Sequence, residues 1–147
     1  MGVKIGIHSF IDQNVYILMP GRLEIGDNTH INQGCFLDAR GGLKIGNNVS
    51  ISHYSKLISG GHDWNSPNFE GIFLPINIED YVWIGVNSIV LQGVTIKEGS
   101  VIGSGSVVTK DTDPYYLYLG IPAKKIKQRI NHLTYTPLKG ENHFRYF

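Results

Sequence analysis

The feature that most constrains this chain is a branched aliphatic residue that recurs every six positions, at Ile84, Val90, Ile96, Ile102 and Val108. A period of six matches neither a helix nor a simple alternating strand. Small residues follow four positions after most of these aliphatics, and glycine and asparagine lie where a chain can turn a corner. The spacing is typical of a hexapeptide repeat, in which three units complete one triangular turn of a parallel β-helix.

The same period opens the chain at Ile5, Ile11 and Ile17, so the coil is expected to begin almost at residue 1, with no separate N-terminal domain. Two-residue shifts of phase near Pro20–Gly21 and Gly41–Gly42 predict two enlarged corners. We therefore predict one all-β unit, with the β-helix spanning residues 1–112 and its aliphatics forming a continuous core.

Composition excludes little, because 147 residues with a net charge of +1 give no whole-chain argument for binding nucleic acid. No stretch reaches the ~20 apolar residues of a membrane-spanning helix, so no integral membrane segment and a cytoplasmic location are expected. The single cysteine, Cys35, falls in a small inward slot of the repeat, which predicts a buried thiol without a chemical role.

The period fails for about twenty residues after Leu57, and this excursion covers approximately residues 59–77. Long loops in compact repeats are more often functional than idle. This one carries His62, Asp63 and Trp64 behind two glycines, so it is the candidate active-site loop.

Residues 113–147 are predicted to cap the open end of the coil, since an uncovered last coil would expose its core and unpaired strand edges. Ile126 and Ile130 have helical spacing, which predicts a short basic helix. The aromatic tail of residues 134–147 has no clear period and is expected to pack on a neighbouring copy.

Four strings make the chain closely resemble the hexapeptide-repeat acyltransferases, and within them the acetyl-CoA-dependent O-acetyltransferases of sugars and surface polysaccharides. They are GHD in the excursion, VWIG at 82–85, GSVIGSGSVVTKD at 99–111 and GIPAK at 120–124. The resemblance covers roughly residues 1–130 and implies a left-handed parallel β-helix. Spacing alone does not give that hand, because crossover connections in general are about 98% right-handed.

The resemblance implies that His62 is the general base that activates an acceptor hydroxyl, a role worth roughly 10²–10⁴-fold in rate. A backbone carbonyl is favoured over Asp63 as the group that orients it. An asparagine that contacts the acceptor in related enzymes falls here on Gly34, so Asn32 or Gln33 is expected to substitute. Asp63 and Trp64 complete the predicted acceptor-binding set.

Acetyl-CoA is the implied co-substrate, and no metal is required. The residues that match the family's cofactor-binding positions are Trp83, Gly85, Ser104, Thr109, Lys110, Lys124 and Lys127. Lysines at the last two positions, where arginine is usual, predict point-charge rather than bidentate contacts with phosphate.

Implied partners are a saccharide acceptor and two further copies of the chain, because the family forms parallel trimers with active sites between subunits. The expected acceptor is a surface polysaccharide, glycolipid or nucleotide sugar. N-acetylation of an amino sugar, acetylation of an antibiotic and a non-catalytic structural β-helix remain alternatives. A γ-type carbonic anhydrase is disfavoured because the chain lacks the His-x₄-His pair of that zinc site.

Overall fold

A computed structural model describes residues 2–137, and these residues form a solenoid of parallel strands with one 3₁₀ turn. Five stacked coils each contribute one strand to each of three parallel sheets, here called faces A, B and C. The fold is therefore all-β, as the six-residue period predicts.

Each face is built from every third strand of the coil. Face A contains β1 (Lys4–Ile5), β4 (Leu23–Ile25), β7 (Leu43–Ile45), β12 (Ile76–Ile78) and β15 (Thr95–Ile96). Face B contains β2 (Phe10–Ile11), β5 (His30–Ile31), β8 (Ser50–Ile51), β13 (Trp83–Ile84) and β16 (Val101–Ile102). Face C contains β3 (Tyr16–Leu18), β6 (Phe36–Asp38), β9 (Lys56–Ile58), β14 (Ile89–Leu91) and β17 (Val107–Val108).

The repeating aliphatics stack in register along the inside of the solenoid. On face B, for example, Ile31 pairs with Ile51, Ile51 with Ile84, and Ile84 with Ile102, and all four are fully buried. Each such side chain contributes roughly 1.5–3 kcal/mol through burial. Cys35 is buried in the same core, as predicted, and burial raises the pKa of its thiol.

The three edges of the prism are named by the faces they join. The AB and BC edges turn through residues with positive φ, such as Asn28, Asn48, Asn87 and Gly105, which tolerate this conformation best. The CA edge contains both predicted enlarged corners, a 3₁₀ turn at Pro20–Arg22 and a glycine turn at Gly41–Gly42.

The excursion also leaves from the CA edge, between β9 and β12. It forms an antiparallel hairpin of β10 (Gly60–His62) and β11 (Gly71–Phe73). The predicted break in the coil is therefore confirmed, and its form is two short strands joined by a turn rather than an unstructured loop.

The predicted C-terminal helix is wrong. Residues 116–120 form β18 (Tyr116–Gly120), which extends face B beyond β16, and residues 123–128 form β19 (Ala123–Gln128), antiparallel to β18. A strand is favoured because the last coil leaves an unpaired edge at β16, which β18 and then β19 cover. The helical spacing is not used for burial, since Ile126 and Ile130 are 57% and 72% exposed.

The last described segment, residues 129–137, returns to the AB edge. The Arg129 guanidinium donates to the carbonyls of Tyr81 and Gly99, and the Tyr135 hydroxyl donates to the Tyr81 carbonyl. Most of the aromatic tail, residues 138–147, lies outside the described residues, so its predicted role at an interface stays a prediction. No helix within residues 2–137 is long and apolar enough to cross a membrane.

Candidate active site

His62 ends strand β10, and its ring is held by one residue on the other side of the hairpin turn. Its Nδ1 lies 2.9 Å from the carbonyl oxygen of Phe69, and the two rings stack with centroids 4.1 Å apart. A carbonyl oxygen accepts but cannot donate, so this contact requires a proton on Nδ1. In the neutral ring Nε2 is then unprotonated, which is the form that a general base needs.

The neighbours of His62 do not orient its ring. The Asp63 carboxylate accepts a hydrogen bond from the Asn65 N–H, inside the turn of the hairpin. Trp64 is 84% exposed at the tip, beside the catalytic candidate. Phe69 could not be found from the sequence, because its role depends on its own backbone carbonyl. That carbonyl is presented to His62 by a turn in which Phe69 has a φ of 48°.

The hairpin is anchored at its base by a bidentate ion pair. Arg40 donates from Nε and Nη2 to the two carboxylate oxygens of fully buried Asp38, at 2.9 and 2.8 Å. These bonds lower the pKa of Asp38. The same guanidinium lies over the Phe73 ring of β11, 5.2 Å from its centroid. The pair therefore ties the hairpin that carries His62 to the CA edge.

The BC edge carries the second group of candidates, beginning with Trp83. Its side chain points outward from face B and is about half exposed, and its indole N–H donates to Ser52 Oγ at 3.0 Å. Ser52 lies one coil below Trp83, toward the N-terminus. The hydrogen bond to Ser52 holds the Trp83 ring as an aromatic surface beside the BC edge. Ser52 is a second residue that the sequence analysis did not predict.

Backbone amides distinguish the BC edge from the AB edge. At the AB edge, the second corner residue of most coils donates its N–H to a side-chain oxygen of a neighbouring coil: Ile7 to Asp27, Asp27 to Asn47, and Asn47 to Asp80. At the BC edge, the corresponding N–H groups of His53, Val86 and Ser104 have no acceptor among the described residues. Because these corners are exposed, their N–H groups are available to water or to a ligand, which makes the BC edge a candidate ligand surface.

Gly85 is the first corner residue of this edge, and it is packed against the backbone of the next coil. A Cβ at residue 85 would lie 2.7 Å from both the Ile102 oxygen and the Ser104 nitrogen, so glycine is required by the backbone of the next coil. Its N–H is already donated to Ile102 O. The adjacent Val86, not predicted, supplies the open amide, and Ser104 supplies the one above it.

Lys124 and Lys127 belong to strand β19 rather than to the predicted helix, and both lie on the outward side of face B. Lys124 pairs with Leu119 and Lys127 with Leu117, and a register shift between these pairs accommodates one extra residue in β19. Because Leu117 and Leu119 point to the same side, the bulge brings both lysines to that side. They therefore extend the column that begins with Trp83 and Val101.

Thr109 and Lys110 lie elsewhere, on the CA edge directly after β17. The pairing of β14 with β17 places them one coil above Leu91 and Gln92, and a Cβ at Gly61 would touch the Gln92 side chain. These two residues therefore share an edge with His62, whereas Trp83, Gly85, Ser104, Lys124 and Lys127 lie across face C from it.

The predicted acceptor residues Asn32 and Gln33 lie on the BC edge, one coil below Ser52. Asn32 donates from its side-chain nitrogen to Ile51 O at 2.9 Å, and Gln33 uses its carbonyl to accept from Tyr54 N–H. Gly34 has φ of 75°, and the Tyr54 ring covers it. Asn32 is thus near the cofactor candidates and separated by face C from Asp63 and Trp64.

Residues 75–110 match the family model described as bacterial transferase hexapeptide (six repeats). Among curated proteins, a chloramphenicol acetyltransferase of Klebsiella aerogenes is 56% identical over 48 residues, which are 33% of this chain and 23% of that protein. The matches to curated relatives span between 23% and 34% of their length.

Solved structures match over most of the chain. A hexapeptide-repeat containing acetyltransferase of Vibrio cholerae, VCA0836, is 31% identical with a TM-score of 0.79, and the match covers 85% of this chain and 73% of that one. It has also been solved with acetyl coenzyme A. A galactoside acetyltransferase in complex with coenzyme A is 33% identical, with a TM-score of 0.82, over 85% of this chain and 64% of that one.

A third structure is AntD, an N-acyltransferase of Bacillus cereus in complex with dTDP and coenzyme A. It is 25% identical with a TM-score of 0.68, over 88% of this chain and 86% of that one. The chain matches left-handed β-helix acetyltransferases in fold, which agrees with the hand that the resemblance implies. The repeat, the fold and the identity across most of VCA0836 together establish that this chain belongs to the hexapeptide-repeat acetyltransferases.

Proposed function

We propose that the protein transfers the acetyl group of acetyl-CoA to a hydroxyl of a saccharide acceptor, with His62 as the general base. The observation that carries this proposal is the Phe69 carbonyl at His62 Nδ1, because it holds the ring in the tautomer whose Nε2 can accept a proton.

His62 Nε2 takes the proton of the acceptor hydroxyl while the hydroxyl oxygen attacks the thioester carbon. The C–S bond then breaks, and the proton passes to the departing sulfur, so the products are the acetyl ester and coenzyme A. The open N–H of Val86 is the backbone donor that we assign to the oxyanion formed in between, a role worth up to ~10²–10³-fold in rate.

The BC edge fits coenzyme A in three respects. The amide of Ser104 is free to bind an amide carbonyl of a pantetheine arm. Trp83 offers an exposed aromatic surface along the path of that arm. Lys124 and Lys127, on the outward side of face B, supply positive charge for its phosphates.

The separation of the site residues supports a homotrimer. His62 belongs to the CA edge, and the cofactor edge lies across face C, whose strands of two to three residues span about 10 Å. Two copies with parallel axes bring the CA edge of one against the BC edge of the next, and a closed ring of three makes all the contacts equivalent. Face C also presents apolar side chains outward, among them Tyr16, Phe36 and Ile89, as expected of a covered surface.

A second candidate is N-acetylation, of an amino sugar or of an antibiotic. It is favoured by the similarity to the N-acyltransferase AntD and by the matched segment of the chloramphenicol acetyltransferase. Release of coenzyme A across a panel of sugars, amino sugars, nucleotide sugars and antibiotics, with product mass spectrometry, distinguishes ester from amide products.

Subunit mixing tests the shared site. His62→Ala lowers turnover by about 10²-fold or more while coenzyme A affinity changes by less than a few-fold, and Ser104→Trp blocks the cofactor edge. Mixed assemblies of these two inactive chains recover part of the activity, because some interfaces pair two intact edges. Sedimentation gives about 49 kDa, three times the chain mass of 16.4 kDa. A fully active monomer, or no recovery despite proven subunit exchange, contradicts the proposal.

A further inference from the structure

The BC edge changes character halfway along the solenoid. In every coil its first corner residue donates its N–H to the carbonyl oxygen of the inward-facing residue in the strand above it, so these residues stack in one column. In the two upper coils, toward the C-terminus, the column contains Gly85 and Gly103. In the three lower coils it contains Ser52, Asn32 and Asp12. The upper half of the column therefore presents no side chains, and the lower half presents polar side chains.

The change coincides with the level of the catalytic hairpin, which leaves the coil between β9 and β12. Ser52 belongs to the coil before the hairpin and Gly85 to the coil after it. In copies with parallel axes, His62 of one subunit therefore stands level with this boundary on the next. If coenzyme A occupies the upper half, the acceptor must approach along the lower half.

The lower half contains a partly buried hydrogen-bonded pair of side chains. Asp12 Oδ2 lies 3.2 Å from His30 Nε2, and the side chains are 27% and 15% exposed. The second carboxylate oxygen, Oδ1, has no partner among the described residues. The Phe10 ring, 55% exposed, meets His30 edge-on at 5.9 Å. By contrast, the cross-coil pair Lys4–Glu24 on face A is 71% and 49% exposed.

We propose that Asp12 and His30 form the acceptor subsite and select neutral or cationic polyhydroxy compounds, sugars and amino sugars, over anionic ones. This inference rests on the proposed acetyl transfer. The free carboxylate oxygen accepts hydrogen bonds from hydroxyl or ammonium groups, and it repels a carboxylate or phosphate placed in the same position. The Phe10 ring supplies an apolar face for the C–H groups of a sugar ring.

The test compares galactosamine, galactose and galacturonate as acceptors, with acetyl-CoA as donor. The wild type is expected to use the first two at least tenfold better than galacturonate, measured as kcat/KM. Asp12→Asn raises the KM for galactosamine about tenfold or more, so the difference in kcat/KM between galactosamine and galacturonate becomes smaller. In this variant kcat, the KM for acetyl-CoA and the Tm stay nearly constant. His30→Gln raises the KM for all three acceptors and keeps their order.

Glu24→Gln is the matched control, since it removes the same charge from face A and is expected to change none of these values. If Asp12→Asn leaves the KM for galactosamine and the order of the three acceptors unchanged, the proposed acceptor subsite is wrong. A wild type that binds acetyl-CoA and acetylates none of the three sugars also overturns the subsite. Failure of the wild type to bind acetyl-CoA instead overturns the proposed function itself.

Discussion

Replacing Val86 by proline tests the open amide of the BC edge directly. Val86 occupies the second position of a corner whose third residue, Asn87, has φ of 54°. Proline is favoured at the second position of a turn with positive φ at the third. The Val86 carbonyl, which accepts from Gly105 N–H, remains in place. The substitution therefore removes one outward N–H while it preserves the corner.

The expected loss depends on what that N–H does. A neutral hydrogen bond to the pantetheine arm is worth about 0.5–1.5 kcal/mol, which is about 2- to 13-fold in coenzyme A affinity. A donor to the oxyanion is worth about 10²–10³-fold in kcat. We expect the second result, a large fall in kcat with a KM for acetyl-CoA that changes only a few-fold.

Val86→Ala is the control, because it shortens the same exposed side chain and keeps the amide. The assay is steady-state release of coenzyme A by both variants, with thermal unfolding to show that the coil is intact. Equal kcat in Val86→Pro and Val86→Ala refutes the assignment of this amide to the transition state. If the Tm falls only in the proline variant, kcat of both variants is compared well below that Tm, where the corner is folded, and equal values there still refute the assignment.

Two further predictions concern the two ends of the CA edge. Asp38→Asn should lower the free energy of unfolding by about 1–3 kcal/mol at neutral pH and raise the KM for acceptor through a loosened hairpin. The pKa of Asp38 is lower in the native state than the unfolded value of about 3.9, so its stabilising contribution is present above that value and is lost on acidification through the native pKa. The free energy of unfolding of Asp38→Asn, measured by denaturation, should therefore depend less on pH below about 4 than that of the wild type. If Lys110 contacts the 3′-phosphate, Lys110→Ala should weaken binding of coenzyme A more than binding of dephospho-coenzyme A, which lacks that phosphate. The difference between the two losses should shrink as the salt concentration rises. Equal losses of affinity for both ligands in calorimetry would contradict a contact between Lys110 and the 3′-phosphate.

The six-residue period predicts the core of this molecule well. A residue such as Ile84 is buried because its position in the repeat points inward, whatever its neighbours are. The enlarged corners and the excursion are predicted for the same reason, since each is a break in a strict period. Such features depend on local spacing, which is fully present in one sequence.

The errors arise where one spacing fits two structures. Lys124 and Lys127, three residues apart, share a face in a helix, and they also share a face in a strand that contains one bulged residue. The unpaired edge of β16 decides between the two, and that edge is a property of the assembled coil. Phe69 and Val86 escaped prediction because their roles depend on which backbone groups other coils and strands leave free.

The contrast between the AB and BC edges links these observations to function. At the AB edge, side chains such as Asp27 and Asn47 accept from the amides of a neighbouring coil, which closes the edge and stabilises the stack. At the BC edge, the second corner residues His53 and Val86 carry no side-chain oxygen, and the Ser104 hydroxyl accepts from no backbone amide among the described residues, so the corner amides stay open. Water or an outside ligand can then pair them, and an acyl donor rich in carbonyl groups is chemically suited to replace the water. The same repeat can therefore build an edge with paired amides or one with open amides, and the side chain at the second corner position decides which.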